Sequence, residues 1–157
     1  MDSTPQRNIQ DLEGTSKENG GQIADVLFVV RDGNDNDRNF IMATAMRSIC
    51  HSDPRFKDVP HKVFMDHYHP VLESRVDGPF TIVKVACLTD DPDTVLGYAL
   101  YRQVGSQTIL DYVYVKAAWR RIGVAKSVMP PNVDAVTHLT AVGKKLMPKG
   151  AIFNPFI

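Results

Sequence analysis

The stretch Arg120-Arg121-Ile122-Gly123-Val124-Ala125 places two guanidinium groups beside a glycine and a small residue. It follows Ile109-Leu110-Asp111-Tyr112-Val113-Tyr114-Val115, a run rich in β-branched and aromatic residues whose alternation predicts a strand. Lys126-Ser127-Val128-Met129 after it is compatible with a helix start. A strand, a short basic turn and a helix start together make a cradle for a pyrophosphate. Amides at the turn and first helical turn have no intrahelical acceptor, and the helix dipole adds partial positive charge. Gly123 lets backbone approach the anion, Ala125 is small enough not to obstruct it, and Arg120 and Arg121 can add charge-assisted hydrogen bonds.

Other residue types on the chain can move protons. Asp111 is the one carboxylate on the predicted strand 108–116, and it is either a base, an exposed polar residue or a partner for Arg102. Strict alternation would put Tyr112 and Tyr114 on one face, as packing groups, and Asp111, Val113 and Val115 on the other. His138, near the end of a later predicted strand, is a second candidate for proton transfer. His61, His67 and His69 cluster in a predicted helix, where His-x-His points two rings to different sides, so no metal site is expected. Cys50 and Cys87 have no metal-binding spacing and read as small buried hydrophobes.

The segment Arg120-x-x-Gly123-x-Ala125 resembles the Q/R-x-x-G-x-G/A signature of the GNAT superfamily of N-acetyltransferases. Its setting strengthens the resemblance: Val113-Tyr114-Val115 looks like the family's fourth strand, and Leu96-Gly97-Tyr98-Ala99-Leu100 like its third. Lys149-Gly150-Ala151-Ile152-Phe153 is similar to the end of the family's last helix and the strand after it. The resemblance implies acetyl-CoA as co-substrate and an amine of a small molecule or protein as acceptor. The pyrophosphate would then rest on Arg120, Arg121, Ile122, Gly123, Val124, Ala125, Lys126 and Ser127. Amides around Val113, Tyr114 and Val115 would polarise the thioester carbonyl. Asp111 would be the general base and His138 the alternative proton carrier. One departure matters: Met147 stands where family members often carry a tyrosine that protonates the leaving thiolate, and no tyrosine follows Tyr114. An alternative reading is therefore a GNAT-fold protein that turns over weakly or not at all and acts by binding another protein.

The rest of the chain must position these groups. Its 157 residues, 43% hydrophobic and 23% charged, suit one domain with a substantial core. No apolar stretch reaches membrane-spanning length, and Met1 to Gln22 lacks a signal-peptide core, so no membrane partner is expected. Two cysteines point to a reducing cytoplasm. Net charge is zero, yet residues 102–157 hold eight Lys/Arg against Asp111 and Asp134. That basic half suits an anion as charged as CoA. Nucleic acid is disfavoured, because interleaved aromatic platforms are missing there.

Residues 1–22 read as a flexible polar tail before a single domain, 23–157, expected as monomer or homodimer. Strands are predicted at 25–31, 81–88, 94–103, 108–116, 135–140 and 151–156. Helices are predicted from about 40 to 51, from about 60 to 76, from about Lys126, where Pro130-Pro131 stops the third early, and over 141–147. Pro70 should kink or divide the second helix. The order β-α-α-β-β-β-α-β-α-β describes an α+β or α/β mixed fold: a GNAT-like central sheet of about six strands flanked by about four helices.

Overall fold

Alternating apolar residues pair six strands in chain order into one sheet: β1 (Phe28–Asp32), β2 (Thr81–Leu88), β3 (Val95–Val104), β4 (Gln107–Val115), β5 (Ala135–Val136) and β6 (Ile152–Phe153). The first three pairings are antiparallel and the last two parallel, giving a mixed sheet. The computed structural model describes residues 27–157, so the expected tail 1–22 and the start of the expected first strand lie outside the described residues.

Four helices cover the sheet: α1 (Arg38–Ser52), α2 (His61–Val76), α3 (Val124–Val128) and α4 (Ala141–Leu146). The element order is the one expected, with short 3-10 turns added. Asn34 starts the α1 region with a capping box, its side chain accepting from Asn36 N–H while Asp37 accepts from Asn34 N–H. α1 and α2 bury Ile41, Ala45, Met46, Ile49, Phe64 and Leu72 against Val85, Tyr98, Leu100 and Tyr112 of the sheet. The opposite face holds Leu96, Ala99, Tyr101, Leu110, Val124, Val128 and Val136, with Trp119, Leu139 and Met147 packed on them. Trp119 thus anchors the loop after β4 by packing, as its apolar body suggests.

Gly97 sets how closely α3 approaches. A Cβ there would lie 2.5 Å from Tyr114 O and 3.0 Å from Val124 Cγ1, so glycine lets the first turn of α3 press onto β3 and β4. Pro70 neither divides nor ends α2, which runs unbroken from His61 to Val76. The helix bond it forfeits would have gone to Asp66, and both residues are exposed, so water can satisfy the freed carbonyl.

β5 is shorter than the expected 135–140, and β6 shorter than 151–156. Thr137 N–H still donates to Leu110 O at 3.1 Å, but from His138 onward a side chain rather than backbone reaches β4. With so little of β5 to pair on, β6 ends after two residues, extended by a single bond from Asn154 N–H to Val136 O. That early departure of β5 opens the sheet beside β4.

Candidate functional site

The pairing of β4 with β5 joins Ile109 to Ala135 and Leu110 to Val136, then stops. Lys116 N–H donates to Leu96 O at 2.9 Å, so at Lys116 the backbone faces β3. Two-residue alternation turns Tyr114 and Tyr112 the same way and turns Val113 and Val115 toward the gap that β5 leaves. The gap is thus lined by the N–H groups of Val113 and Val115, while Arg120 Nε donates to Val115 O at 3.1 Å. Tyr114 stands apart from its two neighbours in the expected set. Its amide belongs to the β3 ladder, and its ring stacks on Tyr98 on the α1 side of the sheet.

β4 also carries a bulge. Leu100 pairs with Tyr112 and Tyr101 with Leu110, leaving Asp111 as the extra residue. A bulge breaks strict alternation, so Asp111 faces the helices α1 and α2 together with Tyr112 and not with Val113 and Val115, contrary to the parity expected. Its carboxylate is 3% exposed. Arg75 of α2 donates to one oxygen at 2.5 Å, Arg102 of β3 donates to both at 2.6 and 2.9 Å, and Thr137 Oγ1 donates at 3.0 Å. The candidate base is therefore an anion with both oxygens engaged by four donors. The Arg102 partnership is the one the sequence allowed; Arg75 and Thr137 were not anticipated.

His138 closes the narrow end of the gap. Its Nδ1 lies 2.8 Å from the Asp111 carbonyl oxygen, and its Nε2 is hydrogen-bonded to the Tyr68 hydroxyl. A carbonyl only accepts, so Nδ1 carries the proton and Nε2 accepts from Tyr68. Burial pushes the His138 pKa below 6.5, opposed by the hydrogen bond to Asp111 and by the carboxylates of Asp111 and Asp53, and reinforced by Arg55. Burial likewise pushes the Tyr68 hydroxyl up to about 12. The pair is neutral in the fold.

The sign of the resulting pH dependence follows from linkage. Because the folded ring takes a proton less readily than the unfolded one, its contribution is complete above pH 6.5 and is lost as pH falls through the folded value. Urea midpoints for wild type should fall between pH 7.5 and pH 5.5, and His138→Gln should flatten that difference. Equal wild-type midpoints at the two pH values would show the ring to be solvated.

Past β4, the chain makes a 3-10 turn, Ala117–Trp119, and reaches the basic turn. Arg121 has φ 67° and Gly123 φ 90°, two left-handed residues that turn successive amides outward. Ser127 N–H bonds Gly123 O, but among the described residues the amides of Arg121 through Lys126 donate to nothing. Arg121, Gly123, Lys126 and Ser127 are exposed, whereas Val124 is buried and fixes the turn to the sheet. A β-carbon on Gly123 would meet nothing within 4 Å, so the space over the turn is open to a ligand. Arg120 and Arg121 flank it as exposed donors. Open space, unpaired amides and two exposed guanidiniums are the chemistry a pyrophosphate would need.

His61, His67 and His69 sit exposed along α2, His67 Nδ1 bonding Val63 O and His69 facing Glu73 at 4.0 Å. Among the described residues no three His, Cys, Asp or Glu side chains gather as a metal site would require. Tyr68 and Arg75 were the residues that sequence reasoning passed over. The available signal was their helical spacing: Tyr68 lies four residues after Phe64 and Arg75 three after Leu72, which puts polar groups on the buried stripe of α2.

Among solved structures, the chain is similar to a Pyrococcus furiosus protein described as an acetyl transferase, with TM-score 0.50, 14% identity, and 65% of this chain and 69% of that one covered. The fold is that of the GNAT acetyltransferases. Two other matches are the histone acetyltransferase HPA2 and related acetyltransferase from Corynebacterium glutamicum, and the PaiA N-acetyltransferase from Thermoplasma acidophilum in complex with coenzyme A. Their TM-scores are 0.49 and 0.46, their identities 14% and 13%, with 64% and 65% of this chain and 66% and 67% of theirs covered. The chain thus spans about two thirds of the length of these proteins. No protein-family model and no curated protein matches it.

Proposed function

We propose that this chain is an acetyl-CoA-dependent N-acetyltransferase acting on a primary amine of a small molecule or protein. One observation carries the reading: pairing of β5 on β4 stops at Val136, which leaves the Val113 and Val115 amides without a β5 partner, and among the described residues the amides of 121–126, which follow β4, donate to nothing. A pantetheine arm along that edge would bring the thioester to Val113 N–H and the pyrophosphate to Arg120 through Ser127. Val113 N–H then opposes the charge that develops on the carbonyl oxygen. The protein holds both reactants in one cleft and so converts a bimolecular encounter into an intramolecular step. In this reading His138 handles the proton. Asp111 is a strut that locks the β4 bulge to α2 and β3, since its oxygens are already committed. No helix among the described residues is long and apolar enough to cross a membrane, and Cys50 and Cys87 are free thiols, which suits a cytoplasmic setting.

A second reading is favoured by two features. α3 has only five residues, and Met147, which packs into the apolar face, stands where a leaving-group tyrosine is expected from the resemblance. Both fit a GNAT-fold protein that binds CoA or a protein partner without turnover. Calorimetry with acetyl-CoA, followed by thiol release with a panel of primary amines, separates the two. Saturable binding with amine-dependent thiol release is the expected result. Binding without release from any amine selects the second reading, and absence of binding rejects both the cofactor and the activity.

A further inference from the structure

We propose that Tyr68, projecting from α2 onto His138, is the group that exchanges protons directly with the reacting nitrogen and sulfur, with His138 behind it as the proton reservoir. The inference rests on the acetyltransferase reading and adds to it a residue that no motif marks.

The geometry has three parts. The His138 ring is held edge-on by Asp111 O at Nδ1, which leaves Nε2 as its one acceptor, and that acceptor is aimed at the Tyr68 hydroxyl. The Tyr68 ring is clamped by Phe64, stacked at 5.0 Å, and by Phe56, edge-on at 5.2 Å, so the hydroxyl cannot swing away. The hydroxyl is held at His138, two residues past Val136, the last residue of β5 that pairs with β4. A purely structural tyrosine would gain as much from a backbone carbonyl. Here it donates to a neutral imidazole whose other nitrogen is already oriented, so a proton leaving Oη has an acceptor in place.

The charged groups facing the couple are Arg55 and Asp53 from the turn before α2, Arg75 from α2 itself and Asp111 from the β4 bulge, with Arg102 of β3 behind Asp111. Arg75 and Arg102 are occupied by Asp111, and Arg55 by Asp53. A transient imidazolium would therefore meet paired charges of both signs and not a bare cation.

The step balances as follows. The neutral amine nitrogen bonds to the acetyl carbon, and the carbonyl oxygen becomes an oxyanion against Val113 N–H. The nitrogen, now cationic, gives one proton to Tyr68 Oη while the hydroxyl's own proton passes to His138 Nε2. Collapse restores the C=O bond and breaks C–S, and CoA leaves as thiolate. The imidazolium returns its proton through Tyr68 to the sulfur. The products are an amide and free CoA thiol, and the protein is unchanged.

The test is Tyr68→Phe, which keeps the aromatic clamp and removes only the oxygen. With acetyl-CoA and a panel of spermidine, lysine peptides and alkylamines, kcat should fall by about 10²–10⁴-fold with little change in KM for acetyl-CoA. Tyr68→Phe combined with His138→Gln should be no slower than either alone, because the two act as one unit. In ¹⁵N-resolved NMR, His138 should titrate at higher pH in Tyr68→Phe than in wild type, since the neutral ring has lost its donor. Tyr68→Phe turning over at the wild-type rate, with acetyl-CoA bound normally, overturns this proposal and leaves the acetyltransferase reading standing. Wild type that fails to bind acetyl-CoA or to release thiol overturns that reading first, and the relay with it.

Discussion

Asp111→Ala should unfold about 3–5 kcal/mol more easily than wild type, because it strands two partly buried guanidiniums. Arg75 and Arg102 are 21% and 18% exposed and converge on a carboxylate that is 3% exposed. Taking charges from water costs more than their attraction returns unless every lone pair is used, and here four donors use them. Removing the carboxylate leaves the desolvation cost without its compensation. For a domain of this size the melting temperature should drop by ~6–20 °C. Calorimetric or urea unfolding measures it. The triple variant Asp111→Leu, Arg75→Met, Arg102→Met should recover most of the loss, since no charge is left buried. A loss below about 1 kcal/mol for Asp111→Ala, the range of exposed pairs, combined with abolished turnover, would return Asp111 to the role of general base.

Gly123→Asp should abolish acetyl-CoA binding while leaving the protein folded. The residue has φ 90°, which an L side chain adopts at a cost of about 1–2 kcal/mol. Space is not the obstacle, because an added β-carbon meets nothing within 4 Å. The new carboxylate would point into the volume that a pyrophosphate must enter. Like charges held against each other cost several kcal/mol, so calorimetry should show affinity lower by ~100-fold or more. Gly105→Asp supplies the control. Gly105 also has positive φ and open space, but it lies in the β3–β4 turn, at the far end of β4 from the basic turn. It should show the strain without the binding defect. Equal acetyl-CoA affinity in wild type and Gly123→Asp would place the phosphate elsewhere.

The element order and the place of the basic turn are legible in the residues alone. Both are local: β-branched alternation, caps such as Asn34, and a glycine between arginines act through neighbours a few residues away. The limits of β5 were not local. A strand lasts only while its partner faces it, so the register of β4, not the composition of 135–140, decided that pairing stops at Val136. The bulge at Asp111 is of the same kind. Nothing in Leu110-Asp111-Tyr112 announces an extra residue, because a bulge is a property of two paired strands. It turned the carboxylate toward α2 and set the residue expected as a base among two guanidiniums and a hydroxyl. Tyr68 reaches His138 across 70 positions of sequence, and Arg75 reaches Asp111 across 36. Such pairings are chosen by how helix α2 packs over the sheet. The sequence could place polar residues on the buried stripe of that helix, and only the tertiary fold could name what they meet.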